Sequence, residues 1–129
     1  MPHIHIEYSG NLERVVDMAS LCDALRQSAA GIAALPMPGV RVRAIRVDHY
    51  SIADGDQKHG FVDISVRLRE GRSDDVKKDV INDLFKAAQV FLAPAMKTHS
   101  IALSSELREI DAKLSPKCGT IRDHLENPK

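Results

Sequence analysis

The sequence predicts an α+β domain of two layers, in which two tandem β-α-β units give a four-stranded sheet with two helices on one face. Three observations predict this fold. Apolar and polar residues alternate in residues 2–8 and again in residues 61–69, which is typical of half-buried strands. Each of these runs is followed by a segment with the apolar spacing of a helix. A second β-rich run then closes each half, so the order β-α-β occurs twice.

The first unit is predicted to cover residues 2–55. After its alternating strand, Asp17 can cap a helix whose apolar residues recur at helical spacing through residues 18–29. Two prolines and two glycines in residues 31–39 interrupt that helix and predict a loop. A strand rich in β-branched side chains is predicted in residues 40–50, and a turn at Asp-Gly follows it.

The second unit is predicted to cover residues 60–110. Its alternating strand ends in a tight turn at Gly71, and Ser73 is the predicted N-cap of the second helix. That helix is expected to stop before Pro94, because proline lacks the N–H that an inner helical position needs. A last strand is predicted in residues 99–107.

The order of elements fits two architectures that periodicity does not separate. One is the ferredoxin-like sandwich, whose four strands are all antiparallel. In the other, each β-α-β unit contributes two parallel strands. In both, residues 1–129 form a single domain, and the polar residues 117–129 are a terminal appendage.

Composition excludes several classes of function. The net charge is zero and the pI is near 7, so no basic footprint for DNA or RNA is present. No apolar run approaches the roughly 20 residues of a membrane span, and the N-terminus lacks the apolar stretch of a signal peptide. Cys22 and Cys118 form no CxxC pair, which favours a reducing compartment. We therefore expect a cytoplasmic protein.

Pro2 is the first candidate for chemistry. It directly follows Met1, and methionine is commonly trimmed before a small residue such as proline. Removal of Met1 would leave a free secondary amine, and α-amino groups titrate near neutrality, at about 7.7–8.0. Such a group can act as both base and acid near pH 7.

Several motifs carry a resemblance to a known superfamily. Residues 68–78, with the turn Glu-Gly-Arg-Ser, resemble 4-oxalocrotonate tautomerase. Nearly the whole chain resembles a family of longer proteins in the same superfamily, the 5-carboxymethyl-2-hydroxymuconate isomerases. That resemblance rests on the opening Met-Pro-His, residues 39–43, Val47-Asp48, residues 53–55 and residues 71–73.

The resemblance implies a tautomerase-like fold and three catalytic residues, Pro2, Arg41 and Arg72. Pro2 would be the acid/base, while the two arginines would bind carboxylates and stabilise negative charge, which the planar guanidinium suits. The implied substrate is a dicarboxylate or tricarboxylate enol such as 5-carboxymethyl-2-hydroxymuconate, an intermediate of homoprotocatechuate catabolism. The implied reaction is a proton shift that uses no metal or other cofactor, and the implied assembly is a homotrimer.

Arg43 and Tyr50 are further candidates for substrate binding. Arg41 and Arg43 alternate with two valines and therefore share one strand face. The spacing leaves open which of the two arginines faces the ligand. In the second half, Val62 falls where the amine would be, and His99 or Ser100 lies near the position of the second-strand arginine. We therefore expect one complete set of catalytic groups in each chain.

Two other functions remain open from the residues. One is a non-catalytic module that binds small acids or assembles on the same fold. The other is a tautomerase of a different substrate, such as the enol of phenylpyruvate. His3, His5 and His49 also suggest metal ligands, but two histidines at strand spacing do not make a site, and we predict no metal.

Overall fold

The computed structural model describes residues 2–126. Its four strands form one sheet in the order β2-β1-β3-β4. In chain order the elements are β1 (His3–Ser9), α1 (Met18–Ala30), β2 (Arg41–Val47), β3 (His59–Arg69), α2 (Asp74–Thr98) and β4 (Ser100–Ile110). All six predicted elements are therefore present, although β2 ends earlier and β4 later than the sequence suggests.

Strand direction decides between the two architectures. β1 pairs with β2 in parallel, and β3 pairs with β4 in parallel, while β1 and β3 are antiparallel. Each β-α-β unit therefore contributes two parallel strands, and the two units join at the β1–β3 seam. The all-antiparallel alternative is excluded.

The core lies between the helices and one face of the sheet. Alternate residues of the two central strands are buried, and they form one cluster with the inner residues of both helices, such as Leu21, Leu25 and Leu84. The strand residues in this cluster are Ile4, Ile6, Tyr8, Val62, Ile64, Val66 and Leu68. Both helices therefore cover the same face, and within residues 2–126 no α-helix packs on the other face of the sheet, which is here termed the open face.

Both helices begin at the predicted capping residues. The Asp17 side chain accepts a hydrogen bond from the backbone N–H of Ser20 at 3.2 Å. The Ser73 hydroxyl accepts one from the backbone N–H of Val76 at 3.2 Å. Each cap satisfies one of the free N–H groups at a helix start, which contributes about 1 kcal/mol.

The predicted end of the second helix is wrong, since α2 continues through Pro94 to Thr98. Proline removes the hydrogen bond to the carbonyl of Val90, and the side chain of Val90 is 68% exposed, so this turn of the helix faces water. Phe91 and Ala95 pack against the core on the other side of the same turn. Core packing thus extends the helix past the proline. No helix within residues 2–126 is long and apolar enough to cross a membrane.

The two units meet at the antiparallel seam, where Ile6 of β1 faces Ile64 of β3. Val62, the predicted counterpart of Pro2 in the second unit, lies inside β3, pairs with Tyr8 and is fully buried. Its equivalence with Pro2 stays a prediction.

The predicted counterpart of Arg41 also stays a prediction. Arg41 pairs with His3 in the first unit. In the second unit, Ser100 begins β4 and pairs with His59, while His99 directly follows α2. Neither His99 nor Ser100 carries the permanent charge of an arginine.

Gly60, which follows His59 at the start of β3, has no room for a side chain. A Cβ at Gly60 would lie 2.8 Å from Cδ2 of Leu12 and 3.0 Å from Oγ of Ser9, and both residues are buried. We expect Gly60→Ala to lower the free energy of unfolding by about 1–3 kcal/mol, as overpacking does. Gly119→Ala is the matched control, because a Cβ there meets nothing within 4 Å. Urea unfolding of both variants measures this, and equal stabilities would contradict it.

Candidate active site

The register brings the three predicted catalytic residues to one end of the sheet. Pro2 directly precedes β1, and its carbonyl accepts a hydrogen bond from the backbone N–H of Arg41 at 3.2 Å. His3 pairs with Arg67 near the end of β3, because the two strands are antiparallel. Arg72 follows the end of β3 in the turn to α2, and therefore lies at the same end as Pro2.

The ring of Pro2 is fully buried on the helix side of the sheet. Alternation explains this position, since Pro2 has the same parity as Ile4 and Ile6, which lie in the core. The predicted removal of Met1 concerns a residue outside the described range. A ring held in this way has a fixed orientation at the edge of the core.

The Arg72 guanidinium is held by two backbone carbonyls. Its Nε and Nη2 donate to the carbonyl of Ala34 at 3.2 and 2.9 Å, and its Nη1 donates to the carbonyl of Arg69 at 2.9 Å. Gly71 has a φ of 118°, which sets the turn that directs the arginine toward these carbonyls. A guanidinium has five N–H donors. One N–H on each terminal nitrogen therefore stays available to bind an anion.

Arg41 and Arg43 lie on the same face of β2, away from the helices. They pair with His3 and His5 of β1 respectively. The Arg43 guanidinium contacts the His5 ring through Nη2 and Nε2. Arg41 instead lines two cavities at the Pro2 end of the sheet. This arrangement favours Arg41 over Arg43 as the residue that meets a ligand there.

The C-terminal segment forms a wall of these two cavities. The first has a volume of about 270 Å³ and is lined by His3, Arg41, Arg67, Arg69, Ile110, Ser115, Pro116 and Lys117. The second, of about 260 Å³, lies between the loop before β2 and residues 117–122. Residues 117–122 of the predicted polar appendage therefore lie close to Arg41. The last three residues of that appendage, 127–129, lie outside the described range.

Tyr50 lies at the opposite end of the sheet within the chain. It follows β2 and packs edge-on against Phe61, with ring centroids 6.3 Å apart. It lines a cavity of about 730 Å³ together with Arg14, Arg46 and His59. The fold thus does not bring Tyr50 together with Pro2, Arg41 and Arg72 of the same chain.

The structure does not gather the three histidines that suggested metal ligands. His3 and His5 lie on the open sheet face, while His49 lines the large cavity at the other end. Among residues 2–126, no group of three or more His, Cys, Asp or Glu side chains could hold a metal ion.

His3 is a neutral side chain among cations. Burial, followed by the charges of Arg67 from β3 and of Arg43 and Arg41 from β2, lowers the pKa of His3 from 6.5 to about 4. Its Nδ1 is buried and has no hydrogen-bond partner among the described residues. From the sequence, His3 suggests only a metal ligand, since its cationic neighbours on β2 and β3 are not adjacent to it in the chain.

The lowered pKa of His3 predicts a loss of stability in acid. Above pH 6.5 the ring is neutral in both states, whereas between pH 6.5 and about 4 only the unfolded chain takes up the proton. Since His3 is only partly buried, water screens part of this effect. We therefore expect the wild type to lose about 1–2 kcal/mol of folding free energy between pH 7 and pH 4.5 that a His3→Gln variant does not lose. Urea unfolding at pH 7 and pH 4.5 measures this difference, and an identical pH dependence in both proteins would contradict it.

The sequence matches one family over nearly its whole described length. The model of the 5-carboxymethyl-2-hydroxymuconate isomerase family matches residues 2–125. The chain belongs to this family. A curated 5-carboxymethyl-2-hydroxymuconate Delta-isomerase of Escherichia coli is 28% identical over 117 residues, which are 91% of this chain and 93% of that protein. The protein is thus an isomerase, as its sequence predicts.

Solved structures agree with this family. A crystal structure of a 5-carboxymethyl-2-hydroxymuconate delta-isomerase superposes with a TM-score of 0.91 at 28% identity, covering 100% of this chain and 95% of the other. The isomerase from Deinococcus radiodurans R1 gives 0.87 at 28% identity, covering 95% and 92%. A fused 4-OT symmetric trimer shares the fold, with a TM-score of 0.57 at 20% identity over 84% of this chain and 85% of that one.

Proposed function

We propose that this isomerase moves a proton within an unsaturated enol carrying two or three carboxylates, such as 5-carboxymethyl-2-hydroxymuconate. The observation that carries this proposal is the meeting of Pro2, Arg41 and Arg72 at one end of the sheet. A titratable amine and two permanent cations at the same end of the sheet are the groups that a proton shift in an anionic enol requires. The names of the relatives support this substrate class.

Pro2 is the proposed acid and base, once Met1 has been removed. Its neutral amine takes the proton of the 2-hydroxyl, which leaves a dienolate with negative charge on oxygen. The resulting ammonium then returns the proton to a distant carbon of the conjugated chain, and the double bonds shift. One proton leaves and one is added, so no other reactant is consumed. The buried ring holds this nitrogen at a fixed place.

The arginines have the proposed role of binding and charge stabilisation. Arg72 is already oriented by the carbonyls of Ala34 and Arg69, so its remaining N–H groups need little reorganisation to meet an oxyanion. Arg41 would bind a carboxylate from β2. Arg43, whose guanidinium contacts the His5 ring, would be a second substrate-binding cation on the same face of β2. Tyr50 would reach the substrate from a neighbouring subunit.

We also propose a homotrimer. Among the described residues, no further strand pairs with the two edge strands of the sheet, β2 and β4. Closed rings of subunits cover such edges. The fused 4-OT neighbour is a symmetric trimer. Free Cys22 and Cys118 support the proposed cytoplasmic location.

The proposal is tested with N-terminally processed protein whose intact mass shows that Met1 is absent. The substrates are 5-carboxymethyl-2-hydroxymuconate, 2-hydroxymuconate and the enol of phenylpyruvate, each followed by ultraviolet absorbance. We expect turnover of the muconates to exceed that of the monocarboxylate enol by at least about tenfold, since the latter lacks a second charge for the arginines. Equal turnover of all three, or none, would reject the proposed substrate class.

A further inference from the structure

A row of basic residues crosses the open face of the sheet at the Pro2 end. Arg41, His3, Arg67 and Arg108 are neighbours in register on β2, β1, β3 and β4. Neighbouring strands lie about 4.8 Å apart. Like charges directly opposite one another destabilise a sheet, so such a row costs folding free energy unless something offsets it.

The middle of this row opens into the cavity of about 270 Å³ described above, here termed the arginine cavity. Its lining among residues 2–126 contains five basic residues and no acidic one; the basic residues are His3, Arg41, Arg67, Arg69 and Lys117. Among the described residues, the side chains of Arg67, Arg69 and Lys117 form no ion pair with a carboxylate. These three cations are therefore available to bind an anion in the cavity.

Arg108 provides the contrast within the same row. Its guanidinium pairs with the carboxylate of Glu106 at 3.3 Å, and it does not line the cavity. Arg108 and Arg67 are register partners on neighbouring strands. Arg67 therefore lines the cavity without a paired carboxylate, whereas Arg108 lies outside the cavity and is already paired with one.

The arginine cavity lies next to the proposed catalytic group. His3 follows Pro2 in the chain, and Arg41 is hydrogen-bonded to the Pro2 carbonyl through its backbone N–H at 3.2 Å. Both residues line the cavity. A substrate at the end of the sheet where Pro2 begins β1 could therefore extend one arm onto the open face, past His3 toward Arg67.

We propose that the arginine cavity binds the third carboxylate of a tricarboxylate substrate, through Arg67 and Arg69 of β3 and Lys117 of the C-terminal segment. This inference rests on the proposed function. In 5-carboxymethyl-2-hydroxymuconate, the muconate chain carries two carboxylates and the carboxymethyl arm carries the third. Sites for whole small molecules occupy about 300–1,000 Å³, so a cavity of this size suits one charged arm. These residues thereby determine selectivity for triacids over diacids.

The test compares two substrates that differ only in this arm. Initial rates are measured with 5-carboxymethyl-2-hydroxymuconate and with 2-hydroxymuconate, for the wild type, Arg67→Gln and Arg108→Gln. The Arg108→Gln variant is the matched control, because it removes a cation from the same row outside the cavity. Circular dichroism verifies that each variant is folded, and Lys117→Gln, on the exposed wall, replaces Arg67→Gln if the latter does not fold.

We expect Arg67→Gln to lower kcat/KM for the triacid by about 10- to 100-fold, mainly through KM, which is the range for one lost charge-assisted contact. The diacid should change by less than about threefold, and Arg108→Gln should leave both substrates within that range. An equal loss with both substrates, or no loss with the triacid, overturns this inference while the proposed function stands. If the wild type turns over neither substrate, the proposed function falls and this inference falls with it.

Discussion

An N-terminal extension that places Gly-Ser in front of Pro2 is expected to reduce isomerase activity by about 10³-fold or more. The extension turns the secondary amine into a tertiary amide, which has no basicity, so the group that moves the proton is lost. General acid–base catalysis contributes about 10²–10⁴-fold to such reactions. The measurement is kcat for 5-carboxymethyl-2-hydroxymuconate, with intact mass as proof of each N-terminus.

Pro2→Ala is the matched variant for this experiment. It keeps a free amine at the same place in the chain, so it should lose less activity than the extended protein. The Pro2 ring is fully buried, so both proteins also need a measured Tm. An extended protein that folds normally and keeps wild-type turnover would show that Pro2 has no catalytic role. An extended protein less active than Pro2→Ala at equal Tm would assign the loss to the amine.

Much of the fold can be predicted from local patterns in this sequence. Alternation identified β1 and β3, and the caps Asp17 and Ser73 marked both helix starts, because these signals depend on a few neighbouring residues. Strand direction could not be predicted, since it depends on which strands meet in the sheet. The end of α2 was missed for a similar reason. Packing of Phe91 and Ala95 on the core outweighs the local effect of Pro94.

The proposed site shows the same division. The resemblance supplied Pro2, Arg41 and Arg72, and the antiparallel β1–β3 seam explains how residues so far apart in sequence reach one end of the sheet. Arg67 and Arg69 were missed. Their signal was present, because they alternate with Val66 and Leu68 and must lie on the open face. Their proximity to His3 could not be seen without the register.

Arg72→Ala is expected to lower kcat by about 10²–10³-fold, which is the usual cost of removing one donor to a developing oxyanion. The structure adds a second effect. Because the guanidinium also donates to the carbonyls of Ala34 and Arg69, the variant should lose about 1–3 kcal/mol of stability. Rates are therefore measured at a temperature well below the Tm of the variant.

Two comparisons separate catalysis by Arg72 from its structural role. Arg26→Ala is the control for loss of an arginine, since Arg26 pairs with Asp23 on the exposed side of α1 and should not affect turnover. Added guanidinium ion should partly restore the rate of Arg72→Ala, because it can bind the vacated site without being attached to the chain. If stability falls while kcat stays at the wild-type value, Arg72 only ties the α1–β2 loop to the end of β3. If kcat falls and guanidinium restores it, the N–H groups that the two carbonyls leave available stabilise the charge that develops on the substrate.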